Sequence, residues 1–354
     1  MSDKKLEEKI RSFDPNGVGA LGSLFGLPFE TEEAQMVILP MPWEVTVSYS
    51  AGTANGPLGV LNASPQLDLY QPDIKDAWKM GLCMEEIPMD WYKTSEVLRQ
   101  KSEAYIHALE TGQTRQGGED LNAINHECGN MVRWVREHTG ALLDRGKIVG
   151  LLGGDHSTPL GLLQALASRH ESFGILQVDA HADLREAYEG FTYSHASIMH
   201  NTLKLEQVFK LVQVGIRDIC DAEVNLIDTS DERIQTFYGW DLKEEQIEGE
   251  IWAKQCEKIV SSLPDKVYVS FDIDGLDPKL CPNTGTPVPG GFTYDEAMYL
   301  IKKVVQSGRT IIGFDLCEVS PGEENEWDAN VGARVLYRLA NLTGVSQGLV
   351  EWSN

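Results

Sequence analysis

The sequence predicts an α/β fold, a three-layer α/β/α arrangement around a mostly parallel central sheet. From about residue 147 onward, short uninterrupted apolar runs alternate with longer segments whose apolar residues recur at helical spacing. Uninterrupted apolar strands are typical of parallel sheets whose two faces are covered by helices. The chain has 354 residues, of which 42% are hydrophobic and 24% charged, and this balance allows one large core.

The chain divides into a short arm and one body. Residues 1–33 are polar and then rich in glycine and proline, and we interpret them as an N-terminal arm that packs on the body or on a neighbouring subunit. No internal repeat, low-complexity tract or linker interrupts the rest. Residues 34–354 are therefore predicted to form a single domain.

The apolar runs and the periodic segments between them define the elements. Strands are expected at 34–40, 81–87, 147–153, 173–180, 211–216, 266–274 and 310–319. Helices are expected at 58–65, 93–111, 120–145, 158–170, 193–204, 218–228, 243–262, 293–307 and 328–343. This order predicts a sheet with helices on both faces.

Composition excludes several classes of partner. The chain carries 30 basic and 54 acidic residues, a net charge of −24, so nucleic acid is excluded by repulsion from its phosphates. The charged start, MSDKKLEEKIR, has no apolar segment of a secretory signal, and no apolar run reaches the ~18 residues of a membrane span. The six scattered cysteines indicate reduced thiols, and we expect a cytoplasmic protein.

Residue types that can bind metals follow three of the predicted strands. They lie at the sheet edge where α/β proteins form their sites. The segments are LLGGDHST with Asp155 and His156, QVDAHADL with Asp179, His181 and Asp183, and SFDIDGLDP with Asp272, Asp274 and Asp277. In an extended chain, residues two apart point the same way, so these side chains are expected to converge.

This convergence predicts a metal centre. Taken singly, each segment also fits a turn, a helix cap or a calcium-type loop. Together they bring more carboxylates into one pocket than burial tolerates without cations. Mixed carboxylate and imidazole ligands suit Mn²⁺ and also Ni²⁺, Co²⁺ or Fe²⁺, and two such ions can activate a water molecule between them.

These segments resemble the signatures of the arginase/agmatinase (ureohydrolase) family, over about residues 35–345. The motifs GGDHS, DAHADL and SFDIDGLDP occur in the family's order, and GTPVPGGFTYDEA and GFDLCEVSP match it as well. The loop 41–53 and the segment YEGFTYSHAS are most similar to the agmatinase-like branch that includes guanidine hydrolases. The resemblance implies an arginase-like fold and a hydrolase that acts on C–N bonds of linear amidines.

The resemblance also implies a ligand set. It assigns His156 and Asp183 to one metal, His181 and Asp274 to the other, and Asp179 and Asp272 as bridges between the two. The expected cofactors are two divalent ions, Mn²⁺ first and Ni²⁺ as the alternative.

Three residues are assigned catalytic roles in the same way. Glu318 in DLCEVSP would bind the guanidinium, for which a carboxylate is the matching partner. Asp274 would orient the metal-bridging hydroxide that attacks the guanidinium carbon, and His195 would shuttle protons as urea leaves.

The substrate is predicted less narrowly. Arg185 stands where arginases have an asparagine that contacts the substrate carboxylate, so it either binds the carboxylate of a guanidino acid or pairs with Glu186 or Glu189 at the surface. Thr286 and Trp43 are also expected in the substrate pocket. The candidates are agmatine, guanidine and guanidinobutyrate, with arginine last.

Other functions remain open on the sequence. A single-zinc amidohydrolase related to deacetylases needs only one of the two ligand sets. A non-catalytic guanidino-binding protein or a metal-dependent structural subunit would keep the ligands without turnover. The resemblance further implies a homotrimer or homohexamer.

Overall fold

The computed structural model describes residues 2–113, 117–323 and 325–353. The strands in these ranges are β1 Met36–Met41, β2 Ile74–Lys75, β3 Leu82–Met84, β4 Ile148–Gly153, β5 Phe173–Val178, β6 Val208–Ile216, β7 Ile234–Tyr238, β8 Lys266–Asp272, β9 Thr310–Cys317 and β10 Glu351–Trp352. The helices are α1 Ser2–Ser12, α2 Gly56–Ala63, α3 Met89–Glu110, α4 Glu119–Asp144, α5 Leu160–Ala167, α6 Ile198–Thr202, α7 Asp221–Asp228, α8 Gly239–Ile247, α9 Trp252–Ser261, α10 Tyr294–Gln306 and α11 Trp327–Ser346.

Eight strands form one central sheet in the order β3-β1-β4-β9-β8-β5-β6-β7. Every neighbouring pair in this sheet is parallel, while β2 and β10 form a separate antiparallel pair. The predicted α/β class is therefore confirmed. Strands β4, β9, β8 and β5 are consecutive at the centre, so the segments that follow them meet at one edge of the sheet.

The helices pack in two groups. One group joins α3, α4, α5 and α6, and the other joins α2, α11, α10 and α9. The sheet lies between these two layers, which buries its strands on both faces and explains their uninterrupted apolar sequences. In β1 and β5, every residue is buried.

The N-terminal segment contributes to the same core. Leu24, Phe25, Leu27 and Phe29 are buried in it, and the Phe25 amide donates a hydrogen bond of 2.8 Å to Ser64 Oγ. Residues ahead of the predicted domain start therefore pack on the body of their own chain. The boundary between residues 33 and 34 stays a prediction.

The structure corrects several predicted elements. The helix predicted at 243–262 is two helices, α8 and α9, because Gly249 adopts a left-handed φ of 110° between them. Strand β7 was not predicted, since only its first residue, Ile234, is buried and the strand lies at the sheet edge. The helix predicted at 193–204 is shorter, with a 3₁₀ turn at His195–Ser197 followed by α6.

Among the described residues, no helix is both long and apolar enough to cross a membrane.

Candidate metal centre

His156 lies at the centre of the first group of ligand-type side chains. Its Nδ1 is 3.1 Å from Asp179 Oδ2, 3.0 Å from Asp183 Oδ2 and 3.3 Å from Asp272 Oδ2. The histidine and all three carboxylates are buried. The convergence expected from the strand ends is present here.

His181 organises a second group beside the first. Its Nδ1 is 2.9 Å from Asp274 Oδ2 and 3.7 Å from Asp179 Oδ1. Asp179 thus faces both histidines, with one oxygen toward each. Its position matches the bridging role that the resemblance implies.

Tight turns aim these side chains inward. Gly154 has no side chain where a Cβ atom would lie 2.1 Å from the Trp43 carbonyl oxygen, so the chain can turn sharply before His156. Asp183 adopts a left-handed φ of 55°, and its carbonyl accepts the amides of Met199 and His200 at 3.0 and 3.2 Å. These bonds hold the start of α6 against the loop that carries Asp183.

One buried atom supports a metal at this place. His156 Nδ1 is fully enclosed, and none of the carboxylate oxygens around it is aligned for a hydrogen bond within the described parts of the chain. Its other nitrogen, Nε2, lies 2.9 Å from Ser270 Oγ. Buried polar atoms are rarely left without a partner, so a lone pair among three carboxylate oxygens fits a divalent cation.

The carboxylates in this cluster resist carrying their charges together. Burial raises the pKa of Asp272 well above its ordinary value, and the charges of Asp274 and Asp179 raise it further. Burial and the neighbouring Asp179 charge also raise the pKa of Asp183, to about 7. A bound cation removes this conflict by favouring the ionised forms.

The histidines and Asp179 show the complementary effect. Burial disfavours charge at His156 and His181, yet the adjoining carboxylates raise the pKa of both rings well above the ordinary value. Burial also opposes ionisation of Asp179, but the adjoining rings of His156 and His181 lower its pKa below the usual range. Proton binding and cation binding would therefore compete at these groups.

Glu318 lies above this cluster at the end of β9. It has a left-handed φ of 63°, which is strained for a residue with a side chain and recurs at functional sites. Its Oε1 accepts the His156 amide at 2.9 Å, and Thr284 Oγ1 donates to its carbonyl at 2.8 Å. Burial raises the pKa of Glu318 well above its ordinary value, and the nearby Asp155 charge adds to the shift.

His195 faces the cluster from the turn before α6. Its Nδ1 lies 3.5 Å from Thr46 Oγ1. Burial lowers the pKa of His195 to about 3, and the charges of His181 and His156 act in the same direction. The uncharged form of the ring is therefore favoured near pH 7.

A cavity of about 160 Å³ opens onto the two histidine groups. Most of the predicted site residues line it: His156, His181, Asp183, Arg185, His195, Asp272, Asp274, Thr286 and Glu318. Sequence reasoning missed Ser48, Tyr188, Asp218, Ile219 and Glu223, which also line it. Asp218 is the second residue after β6, so the same strand-end rule applied to that strand would have found it.

Arg185 does not pair as the sequence suggested. Its Nε is 3.8 Å from Glu223 Oε2, and its guanidinium lies 4.7 Å above the Tyr188 ring. The prediction of a partner at Glu186 or Glu189 is replaced by Glu223, because α7 brings that residue to the cavity wall. Arg185 still lines the cavity and reaches solvent.

The prediction that Trp43 lies in the substrate pocket is wrong for its side chain. Its side chain is fully buried, and its ring packs edge-on against Trp91 with centroids 5.7 Å apart. What Trp43 provides is its backbone carbonyl, which accepts the Asp155 amide at 2.8 Å.

A parallel sheet with carboxylates and imidazoles gathered at its carboxyl edge defines an α/β protein with a metal-binding site of the hydrolase type. The model of the Arginase family matches residues 34–341, so the chain belongs to the arginase family.

Relatives and solved structures agree with this assignment. The chain is 31% identical to the N(1)-aminopropylagmatine ureohydrolase of Thermus thermophilus, over 90% of this chain and 93% of that one. It is 27% identical to the guanidinobutyrase of Pseudomonas aeruginosa, over 97% and 99% of the two chains. The agmatine ureohydrolase structure of Thermoplasma volcanium superposes with a TM-score of 0.67 at 23% identity, over 95% and 97% of the two chains, and shows the shared fold.

These findings confirm the predicted resemblance, the arginase-like fold and the class of enzyme, a hydrolase of C–N bonds in linear amidines. The family is characterised by a binuclear site for divalent metals, and the chain holds two adjacent groups of suitable residues.

Proposed function

We propose that the chain is a binuclear-metal ureohydrolase. It hydrolyses the guanidinium group of a small compound and releases urea together with an amine or ammonia. The expected ions are Mn²⁺ or, as the alternative, Ni²⁺.

The single observation that carries this proposal is the placement of Asp179. Its two oxygens lie 3.1 Å from His156 Nδ1 and 3.7 Å from His181 Nδ1. One carboxylate between two histidine groups supports a pair of ions rather than the lone zinc of a deacetylase-like enzyme.

Each ion would take its ligands from one histidine group. His156 and Asp183 would hold one, His181 and Asp274 the other, and Asp179 and Asp272 would bridge them. When bound, such a pair lowers the pKa of water and so supplies a nucleophile near neutral pH.

Glu318 would hold the substrate above the ligand cluster. Its Oε1 is engaged by the His156 amide, and its carboxylate lines the cavity. A guanidinium that enters the cavity would replace a proton on Glu318 with a charge-assisted hydrogen bond. This pairing places the central carbon over the metal ligands.

Asp274 and His195 would handle protons. The Oδ1 atom of Asp274 accepts the Ala180 amide at 3.0 Å, which leaves Oδ2 toward the cavity. This oxygen would accept a proton from the attacking water and return it to the leaving nitrogen as the C–N bond breaks. His195, which also lines the cavity, would shuttle a proton between the site and solvent, the role that the resemblance implies.

The cavity favours short guanidino compounds. Arg185 and Thr286 line the part of the wall that the substrate tail would meet. Arg185 suits a tail that ends in a carboxylate, as in guanidinobutyrate, and opposes the terminal ammonium of agmatine. Free guanidine needs no tail contact, and arginine is the last candidate.

Urea release by the purified chain tests the proposal. The chain is loaded separately with Mn²⁺ and Ni²⁺ and supplied with guanidine, agmatine, 4-guanidinobutyrate or arginine. We expect urea from at least one substrate, and none from the His181→Ala variant. The matched control is His126→Ala, whose side chain is 70% exposed on α4 and should leave urea release unchanged.

Other outcomes identify the competing functions. Two bound ions without urea from any substrate would leave a binding or structural role. Hydrolysis of acetylated amines with one bound Zn²⁺ would establish the deacetylase-like alternative.

We also propose a homotrimer or homohexamer in the cytoplasm. The six cysteines are free thiols, which suits a reducing compartment. Light scattering on the eluting protein would give a mass of three or six times 39.3 kDa, and a mass of one chain would reject the assembly.

A further inference from the structure

Arg217 follows directly after β6 and has no role in the proposed chemistry, yet its guanidinium makes seven hydrogen bonds. Every acceptor is a backbone carbonyl, on Gly215, Asp274, Gly275, Leu276, Val288 or Pro289. Among the described residues, no carboxylate lies within ion-pair distance of it. Its planar group, with five donors, thus serves only to hold the backbone.

The acceptors belong to three separate segments. They are the end of β6, the turn after β8 that carries Asp274, and the loop of the GTPVPGG motif. The shortest contact, 2.7 Å, is to the carbonyl of Asp274 itself. The side chain therefore fixes the turn that presents one metal-ligand residue.

The backbone of Arg217 reaches the other ligand of the same group. Its amide donates to the Ala180 carbonyl at 2.8 Å, immediately before His181, and the following residue, Asp218, forms a parallel bridge with His181. One residue thus bonds the loop of His181 through its main chain and the turn of Asp274 through its side chain. Between those two loops, the ligand atoms are 2.9 Å apart.

The glycine-rich loop is shaped to approach this guanidinium. Gly291 has a φ of 96°, and a Cβ atom there would lie 2.5 Å from the Leu276 carbonyl and 2.9 Å from Arg217 Nη2. No other residue type fits without moving the turn or the arginine. This contact gives the GTPVPGG motif a purpose beyond Thr286.

We propose that Arg217 is a positioning residue that sets the spacing of His181 and Asp274 and thereby the affinity for the ion they share. The inference rests on the proposed assignment of these two residues as ligands of one metal. Lysine at this position keeps the charge but has one nitrogen, which cannot span three segments.

The chain offers a matched control at the other end of the same strand. Arg233 is also half-buried and also donates only to backbone carbonyls, those of Leu203, Leu205 and Val208. It lies at the amino end of β6, away from the ligands. Arg233→Lys therefore removes the same type of contact without touching the metal groups.

The test measures Co²⁺ binding to the metal-free chain by chelator competition and by the visible absorption of the bound ion. For Arg217→Lys we expect an affinity for one of the two ions that is about 10- to 100-fold lower and an altered spectrum. Arg233→Lys should match the wild type in both. In the active enzyme, kcat should fall more than KM rises, because Arg217 does not contact the substrate.

A second pair of variants keeps the test decisive if Arg217→Lys does not fold. Gly291→Ala should weaken binding of the same ion, since the added Cβ would press on the Leu276 carbonyl and on the Arg217 guanidinium. Gly308→Ala carries the same backbone strain, with a φ of 86°, but meets no atom within 4 Å and should leave binding unchanged.

Wild-type affinity and spectrum in Arg217→Lys, or in Gly291→Ala if the first is unfolded, would overturn the inference. Equal weakening in the control variants would do the same, because it would show a general loss of stability. If the wild-type chain itself binds no ion, the proposed function fails first, and the two failures are distinguished.

Discussion

The central sheet has an amino edge, where its parallel strands begin, and a carboxyl edge, where they end. At these two edges, charged side chains of opposite sign bond to the backbone. At the amino edge, basic side chains donate to backbone carbonyls: Arg309 to Leu263 at 2.8 Å, and Lys147 to Ala34 at 2.6 Å. At the carboxyl edge, carboxylates accept backbone amides, as Asp272 accepts Asp274 at 2.8 Å. The amino edge is exposed in part, whereas the carboxyl edge is buried.

This difference indicates which edge is stable without added cations. At the amino edge, Arg309 and Lys147 have backbone carbonyls as hydrogen-bond acceptors. At the carboxyl edge, several carboxylates share a buried space, where burial and neighbouring charges raise the pKa of Asp272 while His156 and His181 lower that of Asp179. Arg217 is the exception there, and it binds carbonyls rather than carboxylates. The amino edge should therefore govern stability, and the carboxyl edge should depend on added cations.

The largest expected effect separates function from stability at the carboxyl edge. Asp272→Asn should abolish urea release, since a bridging carboxylate is lost. The same change should raise the melting temperature of the metal-free chain near neutral pH, because folded Asp272, with its raised pKa, retains a proton that the unfolded chain releases. Calorimetry in chelator and a urea assay test both parts. A lower melting temperature would contradict this argument.

Glu318→Gln should have the next largest effect. The amide keeps the contact with the His156 amide but loses the charge that pairs with guanidinium. A lost charge-assisted hydrogen bond costs about 1.5–3 kcal/mol, so kcat/KM should fall about 10- to 100-fold. Metal content, measured by mass spectrometry, should remain that of the wild type. Loss of an ion in this variant would assign Glu318 to the metal centre instead.

The stability of the metal-free chain should depend on pH, because carboxylates and histidines lie close together at the carboxyl edge. With a pKa of about 7 in place of 3.8, folded Asp183 retains a proton that the unfolded chain releases, so stability falls as pH rises through this range. The raised pKa values of His156 and His181 act in the same direction, because their stabilising protons are lost as pH rises. Asp179, whose pKa is lowered, does not oppose this trend within the range, whereas His195, whose pKa is lowered to about 3, opposes it in part.

Denaturant unfolding at pH 5 and pH 8 measures the slope. We expect lower stability at pH 8 in chelator, and little difference between the two pH values with saturating Mn²⁺. A metal-free chain equally stable at both values would mean that the carboxylates are not in conflict.

The smallest effect is expected at the amino edge. Arg309→Ala removes two hydrogen bonds to the Leu263 carbonyl and should lower the free energy of unfolding by about 1–2 kcal/mol. Urea release and metal content should not change. A loss of bound metal here would show that the two edges are coupled, contrary to the comparison.

Much of the site follows from local sequence. His181 and Asp183 lie two residues apart after a buried strand, and parallel strands bring such ends together, so the ligand groups are readable from spacing and strand order. The same reasoning predicts the sheet, because strands buried on both faces have uninterrupted apolar sequences.

What the sequence does not carry is contact between distant segments. Arg217 binds backbone carbonyls, which every residue type has, so no sequence pattern predicts these contacts. Glu223 reaches the Leu184 amide at 3.0 Å across 39 positions, so its place beside Arg185 depends on the fold. Trp43 reads as a pocket aromatic, but its ring is drawn into the core beside Trp91.

The most direct test of the central claim is a titration of the metal-free chain with Mn²⁺ while urea release is followed with the best substrate. We expect activity to reach its plateau at two equivalents of Mn²⁺ per chain, because His156 and His181 would each hold one ion beside the shared Asp179. A plateau at one equivalent, or urea release in the complete absence of divalent metal, would contradict it.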